Sequence, residues 1–111
     1  MNNSVKITFE NNFLSSRENG RLKRQEVEKL LNLGNSIEFD ISNIRFIAGS
    51  YADELFGVLF IKLGGEFRNR ISFKVQKKEE SASVISTISE ALDIRLNINS
   101  TNKNPVLSNF P

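Results

Sequence analysis

The chain has 111 residues, 39% of them hydrophobic and 25% charged, enough for one domain around one modest core. It contains no cysteine and no histidine. Disulfides, thiol chemistry, the commonest metal ligand and the commonest general base are therefore excluded. The net charge of +2 is too balanced to argue for a nucleic-acid partner by itself. No apolar run is long enough to cross a bilayer. Met1-Asn2-Asn3-Ser4 shows no basic cluster followed by an apolar region, so no signal peptide and a cytoplasmic location are expected.

The first segment alternates Val5, Ile7 and Phe9 with Lys6, Thr8 and Glu10, the pattern of a strand with one buried face. A helix is expected after Ser15-Ser16, either of which can cap it. It carries Val27, Leu30 and Leu31 on its apolar side and ends near Gly34. Arg17, Arg21, Arg24 and Glu28 fall about one turn apart and are read as its wet face. Gly20, inside this helix, is expected to permit close packing on the sheet. Ile37, Phe39 and Ile41 then alternate with Glu38, Asp40 and Ser42 as a second strand, and Ile44 to Ile47 adds a further short extended segment.

A central helix is expected from Tyr51 to about Leu63, stopped by Gly64-Gly65, with Ser50 as N-cap and Asp53 in a capping-box role. Ala52, Leu55, Phe56, Leu59 and Leu63 form its sheet-facing side. Val58, Phe60 and Ile61 lie largely outside that arc, so the helix is apolar over most of its circumference. A third strand follows at Ile71, Phe73 and Val75, and a third helix begins near Ser81 or Ser83 with Val84, Ile85, Ile88, Ala91, Leu92 and Leu96 as its stripe. Residues 97–111 are polar without periodicity and are expected to be largely disordered. Val106, Leu107 and Phe110 are the apolar residues there that are able to dock. The alternating βα order and the one-sided strands predict a small α/β domain with helices mainly on one face.

Two segments carry a family resemblance: Phe13-Leu14-Ser15-Ser16-Arg17-Glu18-Asn19-Gly20 and Phe46-Ile47-Ala48-Gly49-Ser50-Tyr51-Ala52-Asp53-Glu54-Leu55-Phe56-Gly57. With the strand Ile37 to Ile41 between them, the chain resembles the STAS superfamily of sulfate transporters and anti-sigma-factor antagonists over residues 4–96. It looks closest to the bacterial STAS-like domain of unknown function. The resemblance implies a non-enzymatic, regulatory protein–protein interaction module. It also implies, as partner, a protein with a histidine-kinase-like ATPase fold. The phosphorylatable serine of the antagonists falls at Ser50, with Ala48 in place of their Asp and Tyr51 in place of their Gly.

Ser50 therefore has two readings, phosphoacceptor and plain N-cap. A phosphate there would meet the positive end of the helix but also Asp53 and Glu54 in the same turn. Those adjacent carboxylates point about 100° apart and are not expected to converge on one atom. One of them is expected to pair with Arg17. Tyr51, Val58 and Ile61 form a candidate docking stripe, with cover by the chain's own helices or tail as the alternative. Together with Arg17, Asp53 and Glu54 they make up the candidate partner-binding set. Arg68, Arg70, Lys74, Lys77 and Lys78 offer a nucleic-acid reading around the third strand. Against it, the wet strand positions carry no aromatic for base stacking. No phosphate loop, catalytic constellation, metal set or cofactor motif is present in the sequence.

Overall fold

The computed structural model describes residues 3–99, without the side chains of residues 98–99. Three parallel strands form the main sheet in the order β1 (Ser4–Ile7), β3 (Ser36–Asp40), β5 (Ile71–Lys74). The register pairs Ile7 with Phe39 and Phe39 with Phe73. Two further strands, β2 (Phe13–Leu14) and β4 (Phe46–Ile47), pair with each other in a separate parallel ribbon. The extended segment at Ile44 to Ile47 is thus present as β4, while its partner β2 is too short to carry a readable alternation.

Alternation decides which side of the sheet is covered. Ile7, Ile37, Phe39, Ile71 and Phe73 are buried, whereas Lys6, Ser72 and Lys74 between them are exposed. Successive crossovers step the same way across the sheet, which places the helices on one face. The core between the layers is aromatic. Phe39 meets Phe56 edge-on at 4.9 Å and stacks with Phe73 at 5.7 Å.

Helix α1 spans Arg17–Asn32, and the Ser16 hydroxyl accepts the Asn19 backbone N–H at 3.1 Å as its cap. At the far end Gly34 adopts φ 94°, its N–H reaching Leu31 O while that of Asn35 reaches Leu30 O. That is a Schellman closure, and it requires the left-handed conformation that glycine supplies. Gly20 does serve close packing, but against the central helix rather than the sheet. A Cβ there would lie 2.8 Å from Tyr51 O.

The central helix is a composite of α2 (Gly49–Ala52), a π-helical turn (Asp53–Gly57) and α3 (Val58–Leu63). The Val58 N–H donates to Asp53 O, an i to i+5 bond that inserts one extra residue into the turn. A 3-10 turn (Gly64–Glu66) and the short α4 (Phe67–Arg70) lead into β5. Helix α5 spans Lys78–Asn99. It starts a turn earlier than expected, because Glu79 and Glu80 complement the helix dipole and Ser81 is buried rather than capping. It runs on to Asn99; residues 100–111, with Val106, Leu107 and Phe110, lie outside the described residues. Among the described residues, no helix is long and apolar enough to cross a membrane.

Candidate functional site

The ribbon explains why distant residues meet. Leu14 and Ile47 are register partners. Helix α1 starts three residues after Leu14, and the central helix starts two after Ile47. Both helices therefore leave side by side. Arg17, on the first turn of α1, falls beside the second turn of the central helix, where Asp53 and Glu54 stand.

The two carboxylates do converge, contrary to the angular expectation. Arg17 Nη1 lies 2.8 Å from Asp53 and 3.0 Å from Glu54. Their Cβ directions diverge, but the longer Glu side chain closes the gap around a guanidinium placed between them. Each carboxylate also has a second arginine. Arg95, from α5, is bidentate on Asp53, with Nε at 2.7 Å and Nη2 at 2.9 Å. Arg24 Nη1 meets Glu54 Oε2 at 2.6 Å and Glu54 O at 2.9 Å. Arg24 is thus not on a wet face; it bridges α1 to the central helix. The chain of charges continues through Glu28, held by Lys62 at 2.8 Å.

Gly57 makes the α5 contact possible. It stands one turn after Asp53, and a Cβ there would sit 2.8 Å from Asp53 Oδ1 and 3.1 Å from Arg95 Cγ. Arg95 lies across this bare stretch of helix to reach the carboxylate. Neither Arg95 nor Arg24 was readable as part of the site, since each pairing spans 30 residues or more. The Gly57 at i+4 from Asp53 is the one local signal.

These pairings hold both carboxylates charged. The Arg95 hydrogen bonds lower the Asp53 pKa, opposed by burial and aided by Arg17. Arg24 does the same for Glu54, again with help from Arg17. A carboxylate held below its ordinary range by two guanidiniums is a poor proton acceptor near neutral pH. Neither does Asp53 cap the helix, its side chain being turned to the arginines.

Ser50 is not the N-cap. The cap residue is Ala48, which has no side-chain acceptor, and its carbonyl takes the Ala52 N–H at 3.0 Å. The helix starts two residues earlier than Tyr51, leaving Ser50 on the first turn, half-buried. Ser50 and Gly49 line a cleft of about 490 Å³, closed by Arg17, Asp53 and Arg95 on one side and Thr87, Ala91 and Ile94 on the other.

The stripe of Tyr51, Val58 and Ile61 does not exist as one surface. Tyr51 is only 4% exposed, and burial pushes its phenol up to about 12. In an unbroken α-helix Tyr51 and Val58 would share a side. The extra residue of the π turn rotates the second half, so Tyr51 aligns with Leu59, which is 1% exposed. Val58 is half-buried and Ile61 exposed, on another side. The apolar residues exposed near the helix start are instead Phe13 at 63%, Phe46 at 52% and Ile94 at 53%.

The basic cluster around β5 is also partly committed. Arg70 Nη2 donates to Leu31 O at 2.6 Å and Asn35 O at 2.7 Å, closing the C-terminal end of α1. Lys77 lies 3.7 Å from Glu80, and Lys74 faces Asp40 across the register. Among the described residues, no group of three His, Cys, Asp or Glu is placed to hold a metal.

A family model described as the STAS-like domain of unknown function matches residues 19–79. That segment takes in α1 from Asn19, β3, the whole second motif and β5. No curated protein and no solved structure matches the chain. The matched segment covers more than half of the sequence and contains both carboxylates of the arginine network, so the chain belongs to the family of STAS-like domains of unknown function.

Proposed function

We propose that this domain is a non-enzymatic regulatory module that docks a protein partner at the start of the central helix. The observation that carries this reading is the surface there. A cleft beside Gly49 and Ser50 carries the exposed Ile94 in its lining, and the ribbon that leads into the helix start presents the exposed register pair Phe13 and Phe46. The arginine-paired carboxylates beside it are arranged to hold three helices together, not to move protons. A partner with a histidine-kinase-like ATPase fold is the kind that the STAS resemblance brings to this reading. The module would act in the cytoplasm of a bacterium.

Ser50 is the switch position in this proposal. Repulsion by the two carboxylates weighed against a phosphate in the sequence. Three guanidiniums on those carboxylates weaken that objection, and Arg17 and Arg95 line the same cleft.

The test is crosslinking capture with tagged wild type, Phe46→Asp and Ser50→Asp, followed by titration of the captured protein in purified form. Wild type is expected to bind one ATPase. Phe46→Asp is expected to weaken it at least about tenfold, equivalent to about 1.4 kcal/mol. Ser50→Asp is expected to weaken binding if the serine is the switch. Binding that neither change alters would overturn the site. Nucleic-acid contact through Arg68, Lys74 and Lys78 remains the competing reading; a steep loss of RNA or DNA binding with salt is its signature.

A further inference from the structure

A second cleft, of about 310 Å³, opens between α1 and the segment that joins β1 to β2. It shares no residue with the cleft beside Ser50. Its size suits a compact ligand or a single long side chain. Tyr51 forms part of its lining. That residue is 4% exposed, and its hydroxyl has no hydrogen-bond partner among the described residues. A phenol buried that far normally finds one. The Tyr51 backbone touches α1 at Gly20. Burial first, and then the charge of Glu26, raise the phenol pKa. The side chain therefore runs along α1 from Gly20 toward Glu26, which lines the same cleft.

The walls around the hydroxyl are apolar and acidic. Phe9 is fixed by stacking on Phe39 of the core, while Phe13 is 63% and Leu22 51% exposed. The charged lining is Glu10 and Glu26 against Lys23, an excess of one carboxylate. Lys23 shows what such a lining attracts. Its Nζ lies 5.2 Å from the centre of the Phe9 ring and 3.5 Å from Glu26. That is a cation on an aromatic face beside a carboxylate. Phe13 and Glu10 offer the same two groups a second time, and Glu10 has no ion pair among the described residues.

We propose that this cleft binds an organic cation, a guanidinium or ammonium carried on a short apolar stem. The stem lies between Phe13 and Leu22, the charge meets Glu10 and Glu26, and the Tyr51 hydroxyl accepts a hydrogen bond from the head group. An anion is disfavoured by the two carboxylates. The head group comes either from a free small molecule or from a basic side chain of a protein. The site does not depend on the docking surface proposed above.

The test is an amide-shift titration of the full chain with n-butylguanidinium chloride. Neutral n-butylurea, and potassium chloride at matched ionic strength, serve as controls. Saturable shifts are expected at Asn11, Phe13 and Leu22, with Thr87 and Arg95 of the other cleft unmoved. Tyr51→Phe and Glu10→Gln should each weaken binding at least about fivefold. Both should keep the wild-type unfolding midpoint, since one removes an unpartnered hydroxyl and the other an exposed charge. The blocked peptide acetyl-Gly-Arg-Gly-amide separates the sources. Tighter binding than butylguanidinium assigns a protein side chain; equal or weaker binding assigns a free ligand. Shifts that do not saturate, that butylurea reproduces, or that Tyr51→Phe leaves unchanged would overturn the site.

Discussion

Phenylalanines do opposite work in the two sheets. In the three-stranded sheet Phe39 and Phe73 point inward, stack on each other and meet Phe56 from the central helix. In the two-stranded ribbon Phe13 and Phe46 are register partners too, yet both face water. The same residue on the same kind of parallel pair therefore contributes to the core in one place and to surface in the other. What differs is phase: Phe39 and Phe73 stand on the face that the helices cover, whereas on the ribbon Leu14 and Ile47 take the buried positions and the phenylalanines stand next to them in water.

The largest effect that sharpens this contrast is on stability. Phe39→Ala removes a side chain at the centre of the aromatic cluster and should cost about 3–5 kcal/mol in denaturant unfolding. Phe13→Ala or Phe46→Ala should cost within about 0.5 kcal/mol. A large loss at Phe46 would place that side chain in the core after all. Next comes Gly20→Ala. Its Cβ would press on the Tyr51 carbonyl at 2.8 Å, so overpacking of about 1–3 kcal/mol is expected to outweigh the better helix propensity.

A smaller effect tests the arginine network. Arg95→Ala leaves Asp53 its Arg17 partner but removes a bidentate pair, so a loss of about 1–2 kcal/mol is expected. The network also sets an acid response. Asp53 and Glu54 have folded pKa values below their ordinary 3.8 and 4.5. Their stabilisation is complete above the unfolded values and is lost as the pH falls through the folded ones. Wild type should therefore lose stability more steeply than an Asp53→Asn variant as the pH falls below the ordinary carboxylate range. Smallest of all is Ser50→Ala. An N-cap serine would cost about 1 kcal/mol, but Ala48 is the cap, so a change within about 0.5 kcal/mol is expected.

Much of this was legible in residue patterns and some was not, for identifiable reasons. Period-two alternation marked β1, β3 and β5, and Ser15-Ser16 and Gly34 marked the ends of α1. Arg17 was placed against the carboxylates because helix starts gather at one sheet edge. Strand β2 escaped because two residues hold no period. The docking stripe failed for a different cause: a 3.6-residue period was extended through a π turn, and one inserted residue moved Tyr51 from surface to core. Arg24 looked like a wet-face residue because its partner, Glu54, is brought to it only by packing of the two helices. Arg95 was hidden by sequence distance alone.

The proposed contact surface lies at the ribbon and the helix start, not on the outer side of α3. Titration of a purified partner into Phe46→Asp and Ile61→Asp, with unfolding midpoints measured alongside, tests it most directly. Both side chains are exposed, so both midpoints should stay near wild type. The expected result is binding lost in Phe46→Asp and kept in Ile61→Asp. Binding lost in Ile61→Asp and kept in Phe46→Asp would contradict the account and move the surface to the far half of the helix.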